Sequence, residues 1–235
     1  GRFNTTSGDS SVAMGWYNTT NGEAAVAMGF ENTASGNHSV AMGERNTASG
    51  DHSVAMGQLN DASGVLAFAV GFKNTASGDS SVAMGNSNTA NGYTSVAIGY
   101  ANSLSEIAHG AIAMGTGNVA SQLGAIAIGG SFVQHQNPPD QVDENRRNTS
   151  SGVSSISMGI GNKSEGYASV AIGENNIANN TGGIAAGRSN RANGAESVAM
   201  GQVNTASGDQ SAAMGRLNTA SGDHSVAMGE RNTAS

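Results

Sequence analysis

The segment Val12-Ala13-Met14-Gly15 alternates a branched apolar side chain, a methyl group, a long thioether and a bare hydrogen, and the same alternation returns every fourteen residues. Asparagine opens each unit, at positions 4, 18, 32, 46, 60, 74, 88, 102, 118, 148, 162, 176, 190, 204, 218 and 232. The consensus is Asn-Thr-Ala-Ser-Gly-Asp-x-Ser-Val-Ala-Met-Gly-x-x, with positions referred to below as slots one to fourteen. Two intervals break the count: the unit opened by Asn102 carries two extra residues, and a longer interruption precedes Asn148. Slot twelve is glycine in all fifteen complete units, and slot ten is alanine except at Ser157. Slot nine is Val or Ile except at Phe68 and Ala212. All ten methionines fall in slot eleven, where Val70, Ile98, Ile128, Ile172 and Ala186 are the substitutes.

A period of two predicts strands. In Ser-Val-Ala-Met-Gly, Val and Met share one face while Ser and Ala share the other. Asn-Thr-Ala-Ser-Gly alternates again, with Ala opposed to Thr and Ser. The glycines of slots five and twelve mark positions that need positive φ or close backbone approach. Each unit therefore predicts two short strands and two turns, one lap of an all-β parallel solenoid. A lap this small cannot offset its own chain entropy, so neighbouring laps must stack. Helix is excluded by paired glycines and β-branched residues in every unit. Rungs about 4.8 Å apart would give a rod of about 70 Å. The whole chain, 1–235, reads as one repeat-built domain, with repeats over 4–129 and 148–235 and an insertion over 130–147.

The slot-three and slot-ten alanines are expected to meet across a thin interior, although Thr6, Thr20, Leu104, Ser150 and Ser164 depart from alanine in slot three. The outward ribbon is then Val12, Met14, Val26, Met28, Val40, Met42, Val54, Met56, Val82, Met84, Val96, Ile98, Ile112, Met114, Ile126, Ile128, Ile156, Met158, Val170, Ile172, Val198, Met200, Val226 and Met228. Such a ribbon approaches roughly 700 Å², more than a soluble monomer usually exposes. An equally long and equally periodic partner must cover it, and the simplest is another copy of the chain. The competing arrangement, Val and Met inside a monomeric solenoid, leaves the strict alanine of slot ten unexplained. Slot-one asparagine predicts an amide ladder from rung to rung. The sequons at Asn4-Thr5-Thr6 and Asn148-Thr149-Ser150 are read as part of that ladder, because most units continue Asn-Thr-Ala.

Composition narrows the function classes. The net charge of −7 is spread thinly and no basic block is present, so a nucleic-acid partner is not expected. Cysteine is absent, which removes disulfides and thiolate metal sites. No run reaches the ~18 apolar residues of a membrane span and no signal peptide is present. The chain starts and stops in mid-repeat, as a piece of something longer would. A membrane connection is expected only through an anchor outside it.

Local chemistry is sparse. The interruption Gly-Gly-Ser-Phe-Val-Gln-His-Gln-Asn-Pro-Pro-Asp-Gln-Val-Asp-Glu-Asn-Arg-Arg is the best candidate for a ligand-contact loop, through Phe132, His135, Pro138, Pro139, Asp140, Arg146 and Arg147. The alternative is a solvated insertion that binds nothing, since a turn tolerates added length. The smaller bulge at Glu106 to Gly110 is read the same way. His38, His52 and His224 occupy slot seven, and His109 and His135 lie in irregular segments. Three convergent zinc ligands are not available from one rung, so these read as turn residues, with His38 and His52 able to stack. Slot-six aspartates (Asp9, Asp51, Asp79, Asp209, Asp223) and the slot-thirteen and slot-fourteen charges Glu44, Arg45, Glu230 and Arg231 read as solvated rims. No catalytic constellation, metal site or cofactor site is expected.

Ser95 to Gly99 and Ser169 to Gly173, each followed after a short turn by Asn-x-Ala-x-Gly or a close variant and repeated at fourteen, resemble the head repeats of the YadA-like trimeric autotransporter adhesins. The resemblance covers the chain except the interruption near 130–147. It implies a left-handed parallel β-roll, three chains parallel about a threefold axis, and display on the outer surface of a Gram-negative bacterium. It also implies adhesion to host extracellular matrix or a cell-surface protein. A purely structural fibre or spacer would share the assembly and lack a ligand. An ice-binding solenoid, suggested by Thr-Ala-Ser, is spoiled by Asp61, Val119, Lys163, Ile177 and Arg191 in the threonine slot.

Overall fold

The structure, a computed structural model, describes residues 1–130 and 143–235. The chain divides into two compact units, Gly1–Gly110 and Ala111–Ser235. In the first, long strands run from Val12–Trp16 to Val96–Tyr100 and short ones from Thr5–Thr6 to Ser103–Leu104. In the second, long strands run from Ile112–Thr116 to Val226–Glu230 and short ones from Val119–Ala120 to Thr233–Ala234. Within each unit the long strands form one parallel sheet and the short strands another, each strand pairing with its counterpart one unit on. The register is slot on slot, as in Val40↔Val54, Ala41↔Ala55, Met42↔Met56 and Gly43↔Gly57. Each unit is thus an all-β parallel solenoid. Among the described residues, the one helical turn is the 3-10 segment Glu144–Arg146.

The strands occupy slots two to three and nine to thirteen, so they are offset from the sequence runs that predicted them. Slots five to eight close a turn instead: the Ser39 N–H donates to the Gly36 carbonyl at 3.2 Å. The third residue of that turn, His38, has φ 56°, as a type II turn requires. The chain also reverses at slot fourteen in the left-handed region, for example at Leu59 (φ 59°) and Val203 (φ 57°). That conformation costs a non-glycine residue roughly 1–2 kcal/mol. Rung-to-rung bonds offset it, such as Arg45 N–H to Phe30 carbonyl at 2.8 Å. The expected glycine roles separate. Gly57 in slot twelve has φ +114°, whereas Gly64 in slot five needs only proximity: a Cβ there would lie 2.2 Å from the Gly78 carbonyl oxygen.

The interior is alanine. Ala41, Ala48, Ala55 and Ala62 are fully buried, as are their equivalents in the second unit, Ala199, Ala206, Ala213 and Ala220 up to 0% exposure. Polar departures pair with one another or with slot-eight serines. Ser157, the exception in slot ten, donates to Ser164 Oγ at 3.0 Å, and Ser150 and Ser155 hydroxyls meet at 2.7 Å. Thr20 Oγ1 donates to Ser11 Oγ at 3.0 Å. Leu104 is the largest fully buried side chain, and its lap is the one lengthened by two residues. There the turn is re-closed from Ala108 N–H to Ser105 carbonyl at 3.1 Å.

Across the interruption the register is kept. The strand Ile126–Gly130 pairs with Ile156–Ile160 from Ile126↔Ile156 to Gly129↔Gly159. The Arg146 carbonyl accepts the Gly161 N–H at 2.9 Å, the role that the Phe30 carbonyl plays for Arg45. The chain has therefore rejoined the coil at slot thirteen.

Candidate functional site: the outward ribbon and its rims

Strand alternation points slots nine, eleven and thirteen away from the coil. The slot-eleven side chains Met14, Met114, Met200 and Met228 are 53%, 37%, 43% and 56% exposed, while Ala13's counterparts from Ala27 onward are buried. The arrangement with Val and Met enclosed is therefore excluded. In-register pairing repeats Val on Val and Met on Met, as at Val26↔Val40 and Met28↔Met42, so each unit carries a continuous apolar ribbon. All the slot-nine and slot-eleven residues named above lie on it. Burying what remains exposed contributes roughly 1–3 kcal/mol per rung. The ribbon keeps its bulk where Phe68 accompanies Val70, and thins at Ala186 and Ala212.

Beneath the ribbon runs the asparagine ladder. Asn74 Nδ2 donates to Asn60 Oδ1 (2.9 Å), to the Val70 carbonyl (3.0 Å) and to the Gly85 carbonyl (2.8 Å). Its Oδ1 accepts Asn88 N–H at 3.1 Å and Asn88 Nδ2 at 3.0 Å. These amides are fully buried, so their bonds are made where water cannot substitute. Asn148 belongs to the ladder, donating to Asn118 Oδ1, Ile128 carbonyl and Gly159 carbonyl, which rules out a glycan on that sequon in the folded chain. The ladder residues are not in the left-handed region; slots seven and fourteen are.

The rims do more than solvate. Slot-six side chains accept a backbone N–H from the preceding rung: Asp51 Oδ1 from Asn37 at 2.8 Å, Asp79 Oδ1 from Val65 at 2.9 Å, and Asp223 Oδ1 from Asp209 at 3.0 Å. His109 Nδ1 takes the same role for the Tyr93 N–H at 3.0 Å. Sequence reasoning missed this job; the recurrence of Asp or Asn in one turn slot was its signal. Ion pairs stack one rung apart, with Arg45 Nε to Glu31 Oε2 at 2.6 Å and Arg216 Nη1 to Glu230 Oε1 at 2.9 Å. His38 and His52 stack at 4.9 Å with 7° between their rings. Among the described residues no three potential metal-ligating side chains converge. Burial pushes the Asp61 carboxyl above its ordinary range, offset in part by a hydrogen bond with Ser63.

Of the candidate loop residues, Phe132, His135, Pro138, Pro139 and Asp140 lie outside the described residues. Arg146 and Arg147 sit where the chain rejoins the coil. Arg147 Nη2 meets Glu144 Oε1 at 3.1 Å.

An aromatic edge also escaped the sequence reading. Phe3, Trp16, Tyr17, Phe30, Phe72 and Tyr100 all occupy slots thirteen or fourteen of the first unit. Phe3 and Tyr17 stack at 4.9 Å and 13°, and Trp16 stands edge-on to Tyr17 at 6.4 Å and 75°. Arg45 lies 5.8 Å over Phe30, and Lys73 5.1 Å over Phe72. The signal was available as aromatic clustering in two variable slots.

Compared with protein-family models, the chain matches the YadA head domain repeat at residues 7–32, 34–60, 62–88, 76–102, 107–131, 150–176, 178–204 and 206–232. No curated protein matches it. The matched segments tile both units and omit most of the interruption.

Proposed function

Because the chain belongs to the YadA head family, a family of non-enzymatic adhesin domains, we propose that it is the head of a trimeric adhesin. Its Val/Met ribbon is covered by two sister chains, and its rims and loop face the host. The observation that carries this reading is the partly exposed ribbon itself, repeated in register on successive rungs of each unit. A partner with a different period would match one rung and miss the next, whereas a parallel sister chain matches all of them. The family supports three copies, a left-handed roll and display on the bacterial outer membrane, held there by an anchor beyond this chain. The ligand class is a host matrix or cell-surface protein. The candidate contacts Phe132, His135, Pro138, Pro139, Asp140, Arg146 and Arg147 belong to the insertion, which a trimer would present three times.

A spacer without a ligand is the second reading. It is favoured by the paired charges of the rims, since Glu31–Arg45 and Arg216–Glu230 satisfy each other within the chain. Sedimentation equilibrium of the purified chain tests the assembly, with a mass of three chains expected and a stable monomer refuting it. Solid-phase binding to matrix proteins, repeated after deletion of 130–145, which joins Gly129 to Arg146 and restores a fourteen-residue lap, separates adhesin from spacer: a trimer that binds no matrix or cell surface is a spacer.

A further inference from the structure

The aromatic corner at Trp16 and Tyr17 is not explained by the ribbon. Trp16 continues the outward alternation of its strand, but Tyr17 turns away from it at φ 56°. The two rings meet at 75°, and Tyr17 also stacks on the parallel ring of Phe3. Trp16 and Tyr17 are 48% and 50% exposed. Their backbone is fixed from both sides: Tyr17 N–H donates to the Arg2 carbonyl at 3.2 Å, and the Trp16 carbonyl accepts Glu31 N–H at 2.9 Å. The result is two aromatic walls held nearly at a right angle without any ligand, so little ordering cost remains for binding.

The geometry points to a subsite for a neutral pyranose unit of a glycan, seated with its C–H face on Tyr17 and its edge against Trp16. A pyranose has an apolar C–H face and a rim of hydroxyls, which is the pairing this corner offers. The rings supply the platform. Arg2, in register with Trp16, supplies donors at its border. Size decides against a protein. Aromatic side chains bury about 150–250 Å² each, so two half-exposed rings offer about 200 Å². That is far below the roughly 800 Å² per partner of a standard protein interface. The platform itself asks for no charge on the sugar: the rings meet its C–H face, Arg45 is already held by Glu31 at 2.6 Å, and Arg2 serves as a donor to hydroxyls. A neutral unit is therefore assigned, and the anionic arm tests whether the charge of Arg2 selects instead. The subsite goes beyond the adhesin reading and requires that whatever covers slots nine and eleven leave Trp16 and Tyr17 free.

Trp16 is the chain's single tryptophan, so its fluorescence reports this corner directly. Cellobiose, lactose and N,N′-diacetylchitobiose are titrated into the intact chain, with a sialylated lactose as the anionic arm. At least one neutral disaccharide is expected to give a saturable change in Trp16 emission. Tyr17→Asn, chosen because asparagine tolerates left-handed backbone and already stands in this slot at Asn175, is expected to weaken it at least tenfold, while Tyr17→Phe retains it. Circular dichroism and sedimentation of both variants should match the parent chain. A signal that never saturates, or that Tyr17→Asn leaves intact, overturns the assignment. So does binding confined to the anionic sugar. A change of assembly state in Tyr17→Asn would show that a second copy occupies the corner and would equally overturn it. A monomeric parent that still binds sugar would refute the trimer and leave the subsite standing.

Discussion

Replacing Asn74 by alanine removes one link from the buried ladder. Three donated contacts and two accepted ones disappear: the Asn88 N–H is left without its acceptor, and the Val70 and Gly85 carbonyls, still paired within the sheet, lose their second donor. Each buried group so orphaned costs about 1–3 kcal/mol. Shared acceptors and local relaxation keep the total nearer the low end, so Asn74→Ala is expected to destabilise by about 3–5 kcal/mol. For a chain of this size, each kcal/mol lowers Tm by roughly 2–4 °C, which places the fall at roughly 6–20 °C. Thermal unfolding followed by circular dichroism reads the loss, and hydrogen exchange of the Asn88 amide reports it locally, since that N–H loses its acceptor. Asn232→Ala is the internal control. Its side chain donates to the Met228 carbonyl and its N–H bonds to Asn218 Oδ1; about 1 kcal/mol is expected there. If the two variants cost the same, or if Asn74→Ala costs less than about 1 kcal/mol, the ladder is ornament and the interior alanines carry the stack alone.

The double variant Met56→Asp/Met84→Asp should lower the sedimenting mass, because each carboxylate would be desolvated against a sister chain; unchanged mass would detach the ribbon from assembly. Gly64→Ala should destabilise by several kcal/mol, since its Cβ would meet the Gly78 carbonyl oxygen at 2.2 Å. Gly182→Asn, at φ +63° with its nearest neighbour at 3.4 Å, should change Tm by little, and equal effects from the two would contradict the crowding argument. Asp61→Thr should raise Tm at neutral pH. Burial raises the folded-state pKa of Asp61, so the unfolded chain ionises first and ionisation disfavours folding. The penalty is absent below the ordinary carboxylate pKa and grows as pH rises through the raised value. The gap between variant and parent in pH-resolved melts should therefore close on acidification, and a gap that widens there would refute the sign.

Orientation was legible in the sequence because the lumen is thin and filled mostly by alanine. Ala in slot ten, broken once by Ser157, beside Val, Ile, Phe and Ala in slot nine distinguishes inside from outside. The amide ladder was legible for the same reason, an invariant polar residue beside invariant small ones. The left-handed turns at slots seven and fourteen were not. Leu59, Val203 and His38 carry no mark of positive φ, since the hydrogen bonds that hold them come from the neighbouring rung rather than from local preference. The slot-six acceptors were marked only by the recurrence of Asp or Asn in one turn slot, because a single exposed aspartate reads alike whether it meets water or an amide. Ser150, Ser157 and Ser164, spaced by seven, could have been recognised as one buried cluster.

The in-register pairing has a genetic corollary. Residues 46–57 and 218–229 are identical, and each rung hands its successor the same set of bonds. Unequal crossing-over between such segments would delete or duplicate whole laps while giving every surviving side chain neighbours of the kind it had before. Lap number can therefore drift freely between lineages, whereas an added residue that no turn re-closes, as the turn at Ala108 does, would set asparagine against threonine and break the ladder at that point.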